Sequence, residues 1–356
     1  MTHPLMQLTA DLIDMPSESF NEAQIAHWLH AELTGIPGLE VIRIGDNLVA
    51  RTNLDRKYRV ALGGHLDTVP ENGNGTARFE GDQKLYGLGA SDRKGGIAIM
   101  IALARNIVEP AVDVTYVFYA REEVALEHNG LRELFAEIPE YLTADVAILG
   151  EPTGAVVEAG CQGTMRAVVT LKGQRAHTAR PWMGRNAIHR LGGLLQALES
   201  YEHREPQIDG CTYREAMQAV FVDGGVAGNV VPDAAKVTIN HRFAPDRSSE
   251  EAEAHMRSVI EPFMDEDDTF EIVDLSPAAK PDLRHPLMAS LTGRNNLIVR
   301  AKLGWTDVAF FSEKGIPAGN FGPGEATLAH TKNEFIEEKH LVGTYAALED
   351  LLVTGV

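Results

Sequence analysis

The residues best placed to do chemistry begin with His65 and Asp67. The run Val60-Ala-Leu-Gly-Gly-His65-Leu-Asp67-Thr-Val-Pro70 reads as a short apolar strand ended by a glycine pair. His65 and Asp67 therefore sit where a strand has just stopped and can face a crevice. An Asp two residues after a His can hold the ring nitrogen that a metal leaves unused, fixing tautomer and basicity, so His65 is a candidate ligand and Asp67 its support. After a stretch that reads as polar loop, Leu-Tyr-Gly87-Leu-Gly89-Ala-Ser-Asp92-Arg93-Lys-Gly95-Gly96 presents a second carboxylate in a Gly-rich turn. Phosphate binding is a poor fit there. Asp92 stands where the dinucleotide fingerprint needs its third glycine, no Gly-Lys-Ser/Thr follows, and a carboxylate repels phosphate.

Further carboxylates fall at strand ends. Glu122 and Glu123 follow the apolar, β-branched run Val114 to Ala120, which belongs in the middle of a covered sheet. Two ionised neighbours at the mouth of an apolar crevice repel unless a cation or a proton compensates them. A metal compensates one, and the other can take a proton from water. Glu151 follows the short apolar run Ala144 to Leu149, and the Gly/Pro-rich loop Gly322 to Glu334 adds His330. Two His and three carboxylates without a thiolate suit Zn²⁺, with Co²⁺ or Mn²⁺ as substitutes. Five ligands exceed one tetrahedral site. A bridging Asp between two ions about 3.5 Å apart, each with one His and one Glu, uses all five and activates a water, leaving one of Glu122 and Glu123 as general base.

These side chains need a rigid frame, and the pattern of elements predicts one. Met6 to Leu33 reads as two helices, the second capped through Ser17-Glu18-Ser19 and Glu22. Strands at 41–50, 59–62, 114–120 and 144–149 alternate with helices at 97–108 and 131–138, which implies an α/β layer with ligands at the carboxyl ends of the strands. Past Cys161 the texture changes to half-exposed strands at 165–172, 219–223 and 236–243 and helices at 187–199 and 250–263. The expected fold is α/β, a mixed sheet covered by helices, with an inserted α+β sandwich. The expected boundaries are a discontinuous catalytic domain at 1–162 and 276–356 and a lid and dimerisation domain at 163–275. The acidic run Asp265 to Asp268 reads as a solvated loop.

Composition narrows the partners. A formal charge of −19 argues against nucleic acid, whose binding rests on Lys and Arg. It does not exclude a small anionic substrate, because local charge can oppose the net sign. No apolar run is long enough to span a membrane, and Cys161 and Cys211 are isolated, so a reducing cytoplasm is the expected compartment.

In order, Gly-His65-Leu-Asp-Thr-Val-Pro, Gly-Leu-Gly-Ala-Ser-Asp92-Arg-Lys-Gly-Gly, Arg-Glu122-Glu123-Val, Gly-Glu151-Pro-Thr and Ala-His330-Thr-Lys-Asn-Glu-Phe resemble the co-catalytic zinc aminoacylase and carboxypeptidase superfamily across essentially the whole chain. That pattern usually has Met where this chain has Arg93. The resemblance implies that Asp92 bridges two Zn²⁺, that His65 and Glu151 complete one site and Glu123 and His330 the other, and that Glu122 is the general base. It also implies that His177, in Lys172-Gly-Gln-Arg-Ala-His177-Thr-Ala-Arg180-Pro, stabilises the oxyanion in the neighbouring subunit's site. Asn229, Arg242 and Arg180, with Thr306 and Asp307 of Gly304-Trp-Thr-Asp, become substrate-binding residues, Arg242 gripping a carboxylate through two hydrogen bonds. The activity implied is hydrolysis of a small N-acyl amino acid by a homodimer, with dipeptide cleavage as the rival reaction. A metal-containing protein that binds without cleaving is disfavoured, since it has no use for an unliganded base beside Glu123.

Overall fold

In a computed structural model of the chain, residues 3–356 are described. The chain divides into two compact units, one of Met1–Gly160, Pro281–Arg300 and Phe310–Val356, the other of Cys161–Lys280 and Ala301–Ala309. The segment Ala301–Ala309, which carries Thr306 and Asp307, thus groups with the inserted unit rather than with the first.

The first unit is built on an eight-stranded mixed sheet. Its centre is three neighbouring parallel strands, Asp113–Tyr119, Arg59–His65 and Val146–Leu149. Every residue of Asp113–Tyr119 and Val146–Leu149 is buried, as near-continuous apolar strands covered on both faces must be. Helix Gly95–Asn106 is apolar nearly all round and buried from Gly95 to Ala104. It packs in one core with helices Pro4–Ile13 and Glu338–Thr354.

Two expectations change here. The supposed capping box before the second helix does not form. That helix runs Ala23–Thr34 with no side-chain cap; the Ser19 hydroxyl donates instead to Asp67 and the Glu22 carboxylate accepts the Arg121 N–H. Both capping groups are diverted to strand ends of the sheet. The stretch expected to be loop contains a hairpin, Arg78–Glu80 and Lys84–Tyr86, whose second strand pairs with Phe335–Glu337. This small sheet ties the turn at Asp92 to the segment that follows His330.

The second unit is a four-stranded antiparallel sheet in the order Ala216–Gly224, Ala234–Phe243, Gly163–Lys172, Thr269–Ser276. Helices Ala187–Glu199 and Ser249–Ile260 share one core with it. Asn186 caps the first helix, and a Ser248/Glu251 capping box starts the second. Asp268 is no solvated loop residue: its buried carboxylate accepts the Lys172 and Asp265 N–H groups and both terminal nitrogens of Arg190.

Candidate active site

Three adjacent parallel strands end side by side, and each hands over a candidate residue. His65 is the last residue of its strand, Glu122 and Glu123 lie just past Tyr119, and Glu151 lies just past Leu149. In an α/β sheet this carboxyl edge is where ligands collect. The glycines in the His65 strand reflect close packing: a Cβ on Gly63 would lie 2.4 Å from Leu149 Cδ2, and one on Gly64 2.6 Å from Ile97 Cδ1.

His65 is buried and fixed from both ring nitrogens. Nδ1 lies 3.0 Å from the Asp67 backbone carbonyl and 3.5 Å from Asp67 Oδ1, while Nε2 faces Asp92 Oδ1 at 3.2 Å. The ring is thus supported mainly by the peptide of Asp67. The Asp67 carboxylate organises the next strand end, accepting the Glu122 N–H at 2.9 Å, the Glu123 N–H at 3.0 Å and the Ser19 hydroxyl at 2.7 Å. Burial opposes its charge, but the adjacent His65 ring and these N–H groups hold it down at about 2.

Asp92 sits in the tight turn Ala90–Lys94, which follows Gly89 at φ +79°. Its two oxygens face different imidazoles, Oδ1 toward His65 Nε2 and Oδ2 toward His330 Nε2 at 3.6 Å. His330 Nε2 also lies 2.8 Å from Glu123 Oε1. Burial raises the Glu123 carboxyl, and although burial opposes it, the nearby Glu123 carboxylate raises His330. The ligand atoms of His65, Asp92 and Glu123 all lie within 4.8 Å of one another. A carboxylate whose oxygens point at two separate imidazoles, each with another carboxylate close by, is a donor set that fits a pair of divalent cations.

Two contributors were not assigned from sequence. Glu334, buried, accepts the N–H groups of Gly89, Ser91 and Asp92 at 3.0, 2.8 and 2.9 Å and so shapes the Asp92 turn. Burial pushes its carboxyl up to about 7 against those donors. Its four-residue spacing from His330 was the available signal. Arg93 is the other. It is wholly buried, with its guanidinium on Glu151 and the Gly63 carbonyl.

The second unit brings His177 and Asn229 together. The Thr178 N–H donates to the Asn229 carbonyl at 3.0 Å, and His177 bridges Val230. His177, Arg180 and Asn229 are exposed, Arg242 is half-buried, and Thr306 and Asp307 are buried. A second cluster of ligand types, Glu215, His241 and His255, lies in this unit. Glu215 already accepts from Arg204, Arg247 and the Ala244 N–H, so two guanidinium charges face the place a cation would take. It is an ion-pair hub rather than a metal centre.

The chain matches peptidase family M20/M25/M40 over residues 61–354. It is 51% identical over 348 residues to a putative succinyl-diaminopimelate desuccinylase, DapE, of Mycobacterium tuberculosis, covering 98% of this chain and 96% of that one. It is 42% identical over 355 residues to the succinyl-diaminopimelate desuccinylase of Corynebacterium glutamicum, with 97% and 95% covered. Among solved structures, aminopeptidase PepT of Bacillus cereus superposes with a TM-score of 0.79 at 20% identity, covering 98% of this chain and 97% of that one. The Bacillus subtilis YXEP protein, a dinuclear metal-binding peptidase of the M20 family, gives 0.72 at 17% identity, with 98% and 96% covered. Identity at this level along the whole chain places the protein in peptidase family M20/M25/M40.

Proposed function

We propose that the chain hydrolyses N-succinyl-LL-2,6-diaminopimelate to succinate and LL-2,6-diaminopimelate, with two Zn²⁺ bound at the edge of the first unit's sheet. The observation that carries the chemistry is the placement of Asp92, one oxygen toward His65 and the other toward His330. The substrate is carried by the 51% identity to the mycobacterial protein over 98% of this chain.

His65, Asp92 and Glu151 would hold one cation, and Asp92, Glu123 and His330 the other. When bound, the pair polarises the acyl carbonyl and acidifies the attacking water. Glu122 accepts a proton from that water as it adds to the carbonyl carbon, then delivers it to the departing amine as the C–N bond breaks. Asp67 positions Glu122 and Glu123 through their backbone N–H groups. His177 of the partner subunit donates a hydrogen bond to the tetrahedral oxyanion. Arg242 grips a carboxylate of the substrate, and Asn229, Arg180, Thr306 and Asp307 complete the substrate contacts.

The protein works as a homodimer through its inserted unit. The edge strand Ala216–Gly224 presents Val220, Phe221 and Val222 to solvent, Phe221 being 70% exposed, and an unpaired apolar edge is a template for a second copy. Among the described residues no helix is long and apolar enough to cross a membrane; we place the enzyme in the cytoplasm with its small-molecule substrate.

Glu122→Gln tests the assignment of the base. It is expected to leave bound metal unchanged and to lower kcat by about 10²- to 10⁴-fold. Activity that survives the substitution would overturn the mechanism.

A further inference from the structure

We propose that a cleft between loop 71–78 and the segment after His330 holds the far, unacylated amino-acid end of the substrate. Arg78 and Lys332 take its carboxylate, and Glu71 takes its ammonium. The proposal rests on the desuccinylase reading above.

The cleft lies wholly within the first unit, has a volume of about 540 Å³, and is lined by loop 71–78, by Tyr86 and Gly87, and by Lys332 and Asn333. Lys332 stands two residues past His330, and Gly87 leads into the turn that presents Asp92. Asn74 ties these segments together. Its Nδ2 donates to the Thr331 carbonyl at 3.3 Å, its backbone carbonyl accepts the Leu88 N–H at 2.7 Å, and its Oδ1 accepts the Asn72 N–H at 3.1 Å. The cleft is therefore held by hydrogen bonds against the segments that carry two candidate metal ligands.

The charged side chains on its walls are arranged before any ligand arrives. Arg78 and Tyr86 are cross-strand partners in the hairpin, and the Arg78 guanidinium lies over the Tyr86 ring, with Cζ 4.3 Å from the centroid. Stacking restricts an otherwise free side chain and lowers the ordering cost of binding. The Lys332 stem runs past the turn at Gly73, where φ is +71° and an added Cβ would stand 3.9 Å from Cε. The Glu71 carboxylate folds over Gly75, where a Cβ would lie 2.5 Å from Oε2, so only glycine leaves it that place. Among the described residues no ion pair engages Glu71, Arg78 or Lys332. In a chain of net charge −19, two cations without carboxylate partners on one cleft make a local exception to the field an anion must cross.

Two cations and one carboxylate match a zwitterion better than a simple anion. The far α-carbon of N-succinyl-LL-2,6-diaminopimelate bears both an ammonium and a carboxylate, whereas the succinyl end bears a carboxylate alone. N-acetylornithine ends in an ammonium without a carboxylate. Arg78 and Lys332 thus gain charge-assisted hydrogen bonds from the diaminopimelate end and none from the ornithine end. Preference for the longer, doubly charged chain then has a location in the first unit.

The test compares N-succinyl-LL-2,6-diaminopimelate with Nα-succinyl-L-lysine, which lacks only the far carboxylate, using the zinc-loaded full chain. The natural protein is expected to favour the first by about 100-fold in kcat/KM, and Lys332→Met and Arg78→Met are each expected to shrink that preference by about 10-fold. Glu71→Gln should cost about 10-fold on the diaminopimelate substrate relative to N-succinyl-2-aminopimelate, which lacks only the free amine. The preference of the natural protein tests the proposal even if a variant folds poorly. Equal turnover of the diaminopimelate and lysine substrates would overturn it, as would a preference unchanged by either substitution, or variants that lose both substrates equally. Hydrolysis of no succinyl substrate by the natural protein would overturn the desuccinylase reading itself, and this proposal with it.

Discussion

Asp67→Asn probes the residue that joins two strand ends of the site. The carboxylate is buried and accepts from Ser19 Oγ at 2.7 Å and from the Glu122 and Glu123 N–H groups at 2.9 and 3.0 Å, with the His65 ring alongside. Burial alone would raise this carboxyl; the His65 ring and the N–H donors hold it at about 2, against an ordinary 3.8. At ~1.36 kcal/mol per pH unit, that preference for the charged form is worth about 2 kcal/mol of folding stability. Because the folded-state value lies below the unfolded one, the stabilisation is complete above about pH 4 and fades as pH falls toward 2. Asn removes the charge and turns an amide N–H toward a backbone donor, which adds roughly 1 kcal/mol or more. The chelator-stripped variant is therefore expected to unfold about 3 kcal/mol more easily in urea at pH 7, with the deficit shrinking below about pH 4. Zinc affinity should also fall by about 10- to 100-fold, because the Glu123 backbone loses its anchor. A variant within ~0.5 kcal/mol of the natural protein at pH 7 would refute this account of Asp67.

Other consequences follow from the second unit. Burial, more than the nearby Arg247 and Arg204 charges and His255, lowers His241 to about 4 despite Glu215, so the unfolded chain takes up a proton that the folded one refuses as pH drops below about 6.5. Between pH 7 and 5 the natural protein should lose about 2 kcal/mol more stability in urea unfolding than His241→Leu does; equal losses would remove His241 as the cause. Phe221→Asp places a charge on the exposed edge strand and should convert a dimer to monomers in light scattering at micromolar concentration; an unchanged mass would move the interface elsewhere. His177→Ala should lower kcat by about 10²- to 10³-fold with metal content intact, and unchanged turnover would remove its role at the oxyanion.

The strand ends were more legible than the parts that hold them. His65, Glu122, Glu123 and Glu151 could be placed at strand ends because the strands before them are short, apolar and bounded by glycine or charge, and the sheet order then makes them neighbours. The helices of the second unit were readable from periodicity, and helix Ala187–Glu199 has the expected limits. The hairpin Arg78–Glu80 and Lys84–Tyr86 was hidden because its strands are three residues long and mostly polar, so no period can establish itself. Strand Thr269–Ser276 was hidden differently: burial alternates along it, but apolar Val273 and Leu275 fall on the exposed positions, so the sequence itself does not alternate. Arg93 looked like a neutral neighbour of a ligand. Its weight comes from Glu151, 58 positions away, and a pairing at that separation leaves no local trace.

The most direct test of the proposed activity is to strip the protein with chelator, restore zinc in steps, and follow hydrolysis of N-succinyl-LL-2,6-diaminopimelate beside N-acetylornithine, with bound metal measured on the same samples. Activity that returns with metal and strongly favours the succinyl substrate is the predicted result. Preference for the acetyl substrate would contradict the proposed specificity, and bound metal with hydrolysis of neither would contradict the account at its centre.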